Sequence, residues 1–404
     1  MRKIVGAIWL SWAVAADAAE STLQQDIDAR LAAVNASLID VRRDIHRHPE
    51  ISGKEERTAG IVAARLKQLG YDVKTGVGGH GVVAMLRGGQ SGPIVAFRAD
   101  MDAVPSDFPD PVDYRSEIPG VRHICGHDVH TTIGLGLAEA FAAVRERLPG
   151  SVMLIFQPAE ENGTGAKAML DDGVFDAVLP SAIYAYHTAP MEVGQLVTAP
   201  TILMTPRHLL SVRIAGDGDT KAAAEAVMRE VVAVSTLTPE QSLQPVTDPN
   251  FILVQAQLVD GGLRVRASIM TATDAAEARA NEEIARRLSA LDFPGVSITH
   301  TMERLWLAGV TNTPGLVARA TTVAEGILGA GSVQPLPGLT PAFSEDFGSF
   351  QQRVPGVMFF IGVSNQARGT VGMPHTPGYV ADEAAIGLGA KVMAAIMLDR
   401  MASD

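Results

Sequence analysis

The chain carries one cysteine in 404 residues, so no disulfide can form within it and its single thiol needs another explanation. Cations are also in deficit: 33 Lys and Arg stand against 45 Asp and Glu, a formal net charge of -12. With no basic cluster interleaved with aromatics, that balance excludes a nucleic-acid or anionic-membrane partner and favours small-molecule chemistry. Long apolar runs are missing too. The N-terminal one, Ile4 to about Ala16, falls short of the roughly 20 residues that cross a bilayer, and none later reaches that length. Preceded by Arg2-Lys3 and followed by Ala16-Asp17-Ala18, it has the layout of a secretory signal over residues 1–19 rather than of a short anchoring helix. The expectation is an exported protein, periplasmic or secreted, with no membrane segment after signal removal. In an oxidising compartment an unpaired thiol is a liability unless it is buried or bound to metal.

What is present is a core. Hydrophobic residues make up 47 % of the chain, enough for two domains at about 150 residues each. Apolar residues at helical spacing run from Leu23 to Ile45 and stop at Pro49; Thr58 to Leu69 repeats the pattern, and a hairpin leads from Tyr71 toward Leu86. Three unbroken apolar runs read as strands buried on both faces: Pro93–Arg98, Ser151–Phe156 and Ala182–Tyr186. Each opens onto polar residues: Asp100-Met101-Asp102, Gln157-Pro158-Ala159-Glu160-Glu161, and His187, where it is read as ending. Open α/β sheets place their chemistry at such carboxyl edges. A helix is expected over Thr131 to Val144. From residue 203 to 307 the pattern changes to alternating strands and two helices, Thr220–Leu237 and Ala275–Leu291, as expected of an inserted α+β domain with a half-exposed sheet. Residues 20–202 and 308–404 then form one α/β domain around it.

The lone thiol sits in His123-Ile124-Cys125-Gly126-His127-Asp128-Val129-His130. Thiolate and imidazole are donors that borderline transition ions prefer. Two other readings stand beside metal binding: a small buried hydrophobe, or a nucleophile with its base. Adjacent carboxylates such as Glu160-Glu161 are more often a solvated acidic turn, but here they follow a buried strand and precede Gly163-Thr164-Gly165, a turn into a helix. From an extended segment they would diverge, one to a metal and one to a substrate. His187 alone would pass for a core histidine, and His375, between Pro374 and Pro377, for a loop residue. Together Cys125, His127, Glu161, His187 and His375 make five donors, which suits two ions at roughly 3.5–4 Å better than one.

Arg98-Ala99-Asp100-Met101-Asp102-Ala103-Val104-Pro105, Cys125-Gly126-His127-Asp128-Val129-His130, Gln157-Pro158-Ala159-Glu160-Glu161, Tyr186-His187 and Ser344-Glu345-Asp346-Phe347 together resemble the M20 metallopeptidase family, in the subgroup of amidohydrolases that cleave N-acyl amino acids. The resemblance implies a catalytic domain on a mixed sheet, like that of zinc peptidases, interrupted by a lid that often mediates dimerisation. It implies that the five donors hold two divalent ions, zinc, manganese, cobalt or nickel, with Glu160 as general base for a metal-activated water. Asp102 matches the carboxylate near the metals, and Asp100 joins it in supporting the ligands. Asp128 and His130 would orient ligands or cap the following helix. The alternatives are an exported dipeptidase or carboxypeptidase and a metal-dependent binding protein without turnover.

The inserted segment departs from that family. No histidine follows Gly216-Asp217-Gly218-Asp219, Gly261-Gly262 stands where an Asn is expected, and Met270 falls near the usual Arg. Unless Arg207, His208 or Arg266 substitutes, these losses point to substrates without a free carboxylate and weaken the case for a homodimer.

Overall fold

The computed structural model describes residues 21–403, apart from the side chains of residues 304–306. The expected signal segment, 1–19, lies outside them. Among the described residues no helix is long and apolar enough to cross a membrane.

The first helix, α1 (Leu23–Arg47), begins where the Thr22 side chain accepts from the Gln25 amide while the Gln25 side chain accepts from the amide of Thr22, so two otherwise orphaned donors are satisfied. Of the apolar positions expected to form its buried stripe, Leu31, Val34, Leu38 and Ile45 are buried, Val41 is half-buried, and Ile27 extends the stripe one turn earlier. Helix α2 (Glu56–Gln68) and the antiparallel hairpin β1 (Asp72–Val77) and β2 (Gly81–Arg87) follow.

The large sheet has eight strands. It adds β3 (Ile94–Asp100), β4 (Ser151–Gln157), β5 (Ala182–Glu192) and β6 (Leu196–Thr198). After the inserted segment come β11 (Val333–Pro335) and β12 (Gly356–Ser364). Their order is β1-β2-β4-β3-β5-β12-β6-β11; β4, β3, β5 and β12 are parallel, β2 runs antiparallel to β4 and to β1, and β6 runs antiparallel to β12 but parallel to β11. The sheet is therefore mixed, as the family resemblance implies.

Its central strands alternate between two cores. Val95, Phe97 and Ala99, Val152, Leu154 and Phe156, and Tyr184 and Tyr186 pack on one face, under α1, α3 (His127–Ala143) and α6 (Ala384–Met401). Ala96, Met153, Ile155, Ile183 and Ala185 pack on the other. Side chains two apart share a face, so Arg98 and Asp100 continue the Ala96 row, Gln157 the Ile155 row and His187 the Ala185 row. All four polar groups leave the sheet on one side at one edge.

Two expectations need correction here. The helix after the cysteine cluster starts at His127, not Thr131, because its polar first turn hides the start from an apolar-spacing argument. Strand β5 does not end at His187. It runs to Glu192, paired with β12, whereas its pairing with β3 stops at Arg98 and Ala185.

The segment expected as the inserted domain holds a four-stranded antiparallel sheet, ordered β8 (Ile252–Val259), β9 (Arg264–Thr271), β7 (Arg207–Gly216), β10 (Val296–Leu307). Strand β10 went unpredicted. Helices α4 (Thr220–Val232) and α5 (Asp274–Ser289) cover one face, where Leu210, Val212, Ile214, Val265 and Ile269 meet Val227, Ala280 and Ile284. The first of these helices stops five residues earlier than its spacing suggests. Asp219 caps it through the Ala222 amide, so the Gly216-Asp219 run serves as turn and cap.

Candidate metal centre

Cys125 is delivered by the approach to α3, and the residue after it must be glycine. Gly126 has φ 93°, and a Cβ there would lie 2.2 Å from the Tyr379 hydroxyl and 2.5 Å from Thr188 Oγ1. The left-handed turn reverses the chain so that Cys125 and His127, two residues apart, face one point. Cys125 Sγ is 3.4 Å from His187 Nε2. Donor atoms of Cys125, His127 and His187 lie within 4.8 Å of one another, and so do those of Cys125, Glu161 and His375, so the two triads share the thiol. The structure thus brings all five predicted donors together.

Glu160 and Glu161 do not diverge from an extended segment. Ala159 is left-handed (φ 54°), and the turn it makes carries both carboxylates toward His127, whose Nε2 lies 3.8 Å from Glu160 Oε2 and 3.7 Å from Glu161 Oε1. Glu55, which the sequence did not single out, holds that turn: its Oε1 accepts from the amides of Gly53 and Ala159. Asp102 orients His127, whose Nδ1 bonds the Asp102 backbone carbonyl at 2.8 Å, and its carboxylate also accepts from Ser52 and from the Glu161 amide. His130 accepts from the Thr188 amide at Nε2, so its Nδ1 donates to Asp100.

Asp128 faces away. Its carboxylate meets Arg42 Nε at 2.8 Å and His46 Nδ1 at 2.7 Å, inside the α1–α3 contact. Burial opposes its ionisation but is outweighed by Arg42 and His46, which hold it well below the usual carboxylate range. Asp128→Ala would strand a buried guanidinium and lower the unfolding free energy by about 3–5 kcal/mol. Urea melts of the metal-free protein would show this, and a loss below about 1 kcal/mol would mean that Glu383, 3.4 Å from Arg42, already suffices. Because the folded proton affinity is depressed, the pair's contribution is complete above about pH 4 and fades as the pH falls below it.

Behind Glu160 lies a network built largely from residues the sequence left without a role. Arg98 donates to Asp100 at 2.6 Å, to Gln157 at 2.8 Å and to Glu345 at 2.8 Å, and Asp346 accepts from Gln157 at 2.7 Å. Their sequence signal was membership of the motifs that begin at Arg98, Gln157 and Ser344, which gave Arg98, Gln157, Glu345 and Asp346 no individual role. Carboxylates outnumber cations here. Burial and the neighbouring Glu345 push the Glu160 carboxyl well above its ordinary range, and burial takes Asp346 to about 8 against the pull of Arg98.

The donors fit a metal. His127 Nε2 and Glu161 Oε1 are buried without a hydrogen-bond partner and face the same point, and an unpaired buried polar atom is costly unless something binds it. Burial, then Glu161 and Glu160, push the Cys125 thiol well above its usual range, so only a cation would hold it as thiolate. Burial keeps His187 neutral, at about 3, as a ligand must be.

Residues 96–399 match the model of peptidase family M20/M25/M40. The chain belongs to that family. IAA-amino acid hydrolase ILR1-like 4 of Arabidopsis thaliana is 30 % identical over 381 residues, covering 89 % of this chain and 84 % of the relative. Thermostable carboxypeptidase 2 of Saccharolobus solfataricus is 30 % identical over 383 residues, covering 87 % and 92 %. Among solved structures, the Bacillus subtilis YXEP protein, described as a dinuclear metal-binding peptidase from the M20 family, superposes with a TM-score of 0.73 at 25 % identity over 92 % of this chain and 99 % of that one. This M20 chain therefore carries its donor set within a fold shared along nearly its whole length.

Proposed function

We propose that the protein hydrolyses the amide bond of N-acyl amino acids, with two divalent metal ions held by Cys125, His127, Glu161, His187 and His375 and with Glu160 as general base. The observation that carries this reading is the position of Glu160. Its carboxyl lies beside the donor set and at the wall of a cavity of about 590 Å³. That cavity is lined chiefly by apolar side chains, among them Met191, Val197, Leu203, Leu336, Phe360 and Met373. Such a space suits an apolar acyl group.

The ions would supply Lewis acidity, lowering the pKa of a water and polarising the amide carbonyl. The residues do the rest. Glu160, whose environment raises its proton affinity, takes the proton from water and delivers it to the leaving nitrogen. Asp102 and the Thr188 carbonyl hold His127 and His187 through Nδ1, so Nε2 of each faces the centre. Arg98 and Gln157 hold Asp346 and Glu345 in place behind the base.

A panel of N-acyl amino acids and of free and N-acetylated dipeptides, assayed with and without chelator, tests the proposal. The acylated compounds should be turned over, and activity should vanish with chelator and return with divalent metal. Turnover of free dipeptides alone would identify a dipeptidase instead, and chelator-resistant turnover would revive the thiol mechanism.

A further inference from the structure

Cys125, Glu160 and Glu161 all line the cavity, and no lysine or arginine is among its lining residues. One guanidinium stands at its edge. Arg207 begins β7 and lies directly opposite Met270 of β9 and Leu307 of β10. Its Nη2 donates to the carbonyl of Ala342 at 2.6 Å, and Ala342 lines the cavity. Its Nε is buried and has no hydrogen-bond partner. Among the described residues no carboxylate forms an ion pair with Arg207. Burial lowers its pKa, and the charge that works against this is that of Glu160. The contact is tight on both sides of the gap: a Cβ at Gly163, three residues beyond Glu160, would lie 2.6 Å from the Leu307 side chain.

We propose that Arg207 is the specificity-determining residue that binds the free carboxylate of the substrate, an inference that rests on the amide hydrolysis proposed above. A guanidinium has five N–H donors in a fixed fork, and Ala342 accounts for one. An unpaired, partly desolvated cation beside an acid-rich centre is otherwise unexplained. A substrate carboxylate supplies its missing partner and satisfies Nε at the same time. Glu160 forms no ion pair with it and so stays available as a base. The expectation drawn from the altered lid, of substrates without a free carboxylate, is thereby reversed: the required cation comes from the first strand of the inserted sheet.

The test compares N-benzoylglycine with N-benzoylglycinamide, which differ only in that charge, for the wild-type holoenzyme, Arg207→Gln and Arg207→Lys. Wild type should favour the acid. In Arg207→Gln the ratio of the two kcat/KM values should fall about a hundredfold, mainly through KM for the acid, and Arg207→Lys should recover part of it. Equal losses on both substrates would assign Arg207 to scaffolding or to the carbonyl oxygen and overturn the proposal, as would an unchanged ratio. Should the wild type hydrolyse neither compound, the amidase reading fails. Calorimetric binding of N-benzoylglycine to metal-loaded wild type and Arg207→Gln then still decides the carboxylate site: tenfold or greater weakening supports it, and equal affinity overturns it.

Discussion

Glu160→Gln should keep its metal and lose kcat by about 10²–10⁴-fold. The amide is isosteric with the carboxyl and leaves the five donors untouched, so metal analysis of the purified variant should match wild type while turnover collapses. Removing a carboxyl from a cluster where Glu160 sits with Glu345 and Asp346 relieves crowding of like charge. The variant should therefore be at least as stable as wild type, which separates loss of chemistry from loss of fold. Activity within about tenfold of wild type would assign the base to another group. Glu345 and Asp346 are the nearest candidates.

Cys125→Ser should behave oppositely, losing metal first and activity as a consequence. The thiol belongs to both donor triads, so its replacement by a neutral hydroxyl weakens two ion positions at once. A drop in metal affinity of more than about 100-fold is expected, at the upper end of what even supporting residues around a ligand cost. Metal content after dialysis should fall toward zero, and excess metal should restore part of the activity. Undiminished stoichiometry would show that the other four donors suffice and would return Cys125 to the small buried hydrophobe. The thiol-enzyme alternative predicts something different, full metal content with no turnover, so the one variant distinguishes all three readings.

Much of the site was legible because its donors follow strongly patterned segments. Buried parallel strands read as unbroken apolar runs, so the residues ending β3 and β4 stood out by contrast: Asp100 and Asp102, Glu160 and Glu161. The dense cluster around Cys125 stood out by composition. His187 was found for the wrong reason. Its strand continues to Glu192, and it reaches the site because β3 stops pairing there, an event in a neighbouring strand that local sequence does not encode. Glu55, Arg98 and Gln157 were passed over as sites because a buried acid, a buried arginine and a buried amide look like any polar residue until their partners are known. Those partners lie up to 248 positions away, as between Arg98 and Asp346.

The divergence expected of Glu160 and Glu161 failed for a related reason. It assumed an extended backbone, and Ala159 is instead left-handed, held by Glu55 from about a hundred residues earlier. The left-handed conformation is costly for alanine, and it is held by the Glu55 carboxylate on its amide and by the Thr164 and Gly165 amides on its carbonyl. The same limit applies to Arg207. Its position at the start of an alternating strand was readable, whereas its burial beside Glu160 depends on how the inserted sheet meets the turn at Gly163.

By itself the sequence determined the class of molecule and the kind of chemistry: apolar runs and helical spacing set the α/β layers, a composition of thiol, imidazole and carboxylate set the donor types, and ordered motifs set the family. Tertiary structure alone decided which donors lie together, which carboxyls carry a raised proton affinity, and which buried guanidinium lacks a carboxylate partner. Periodicity is a property of neighbouring residues and can be read along a chain. Proton affinity and coordination depend on distance and burial, which exist only once strands far apart in sequence lie side by side.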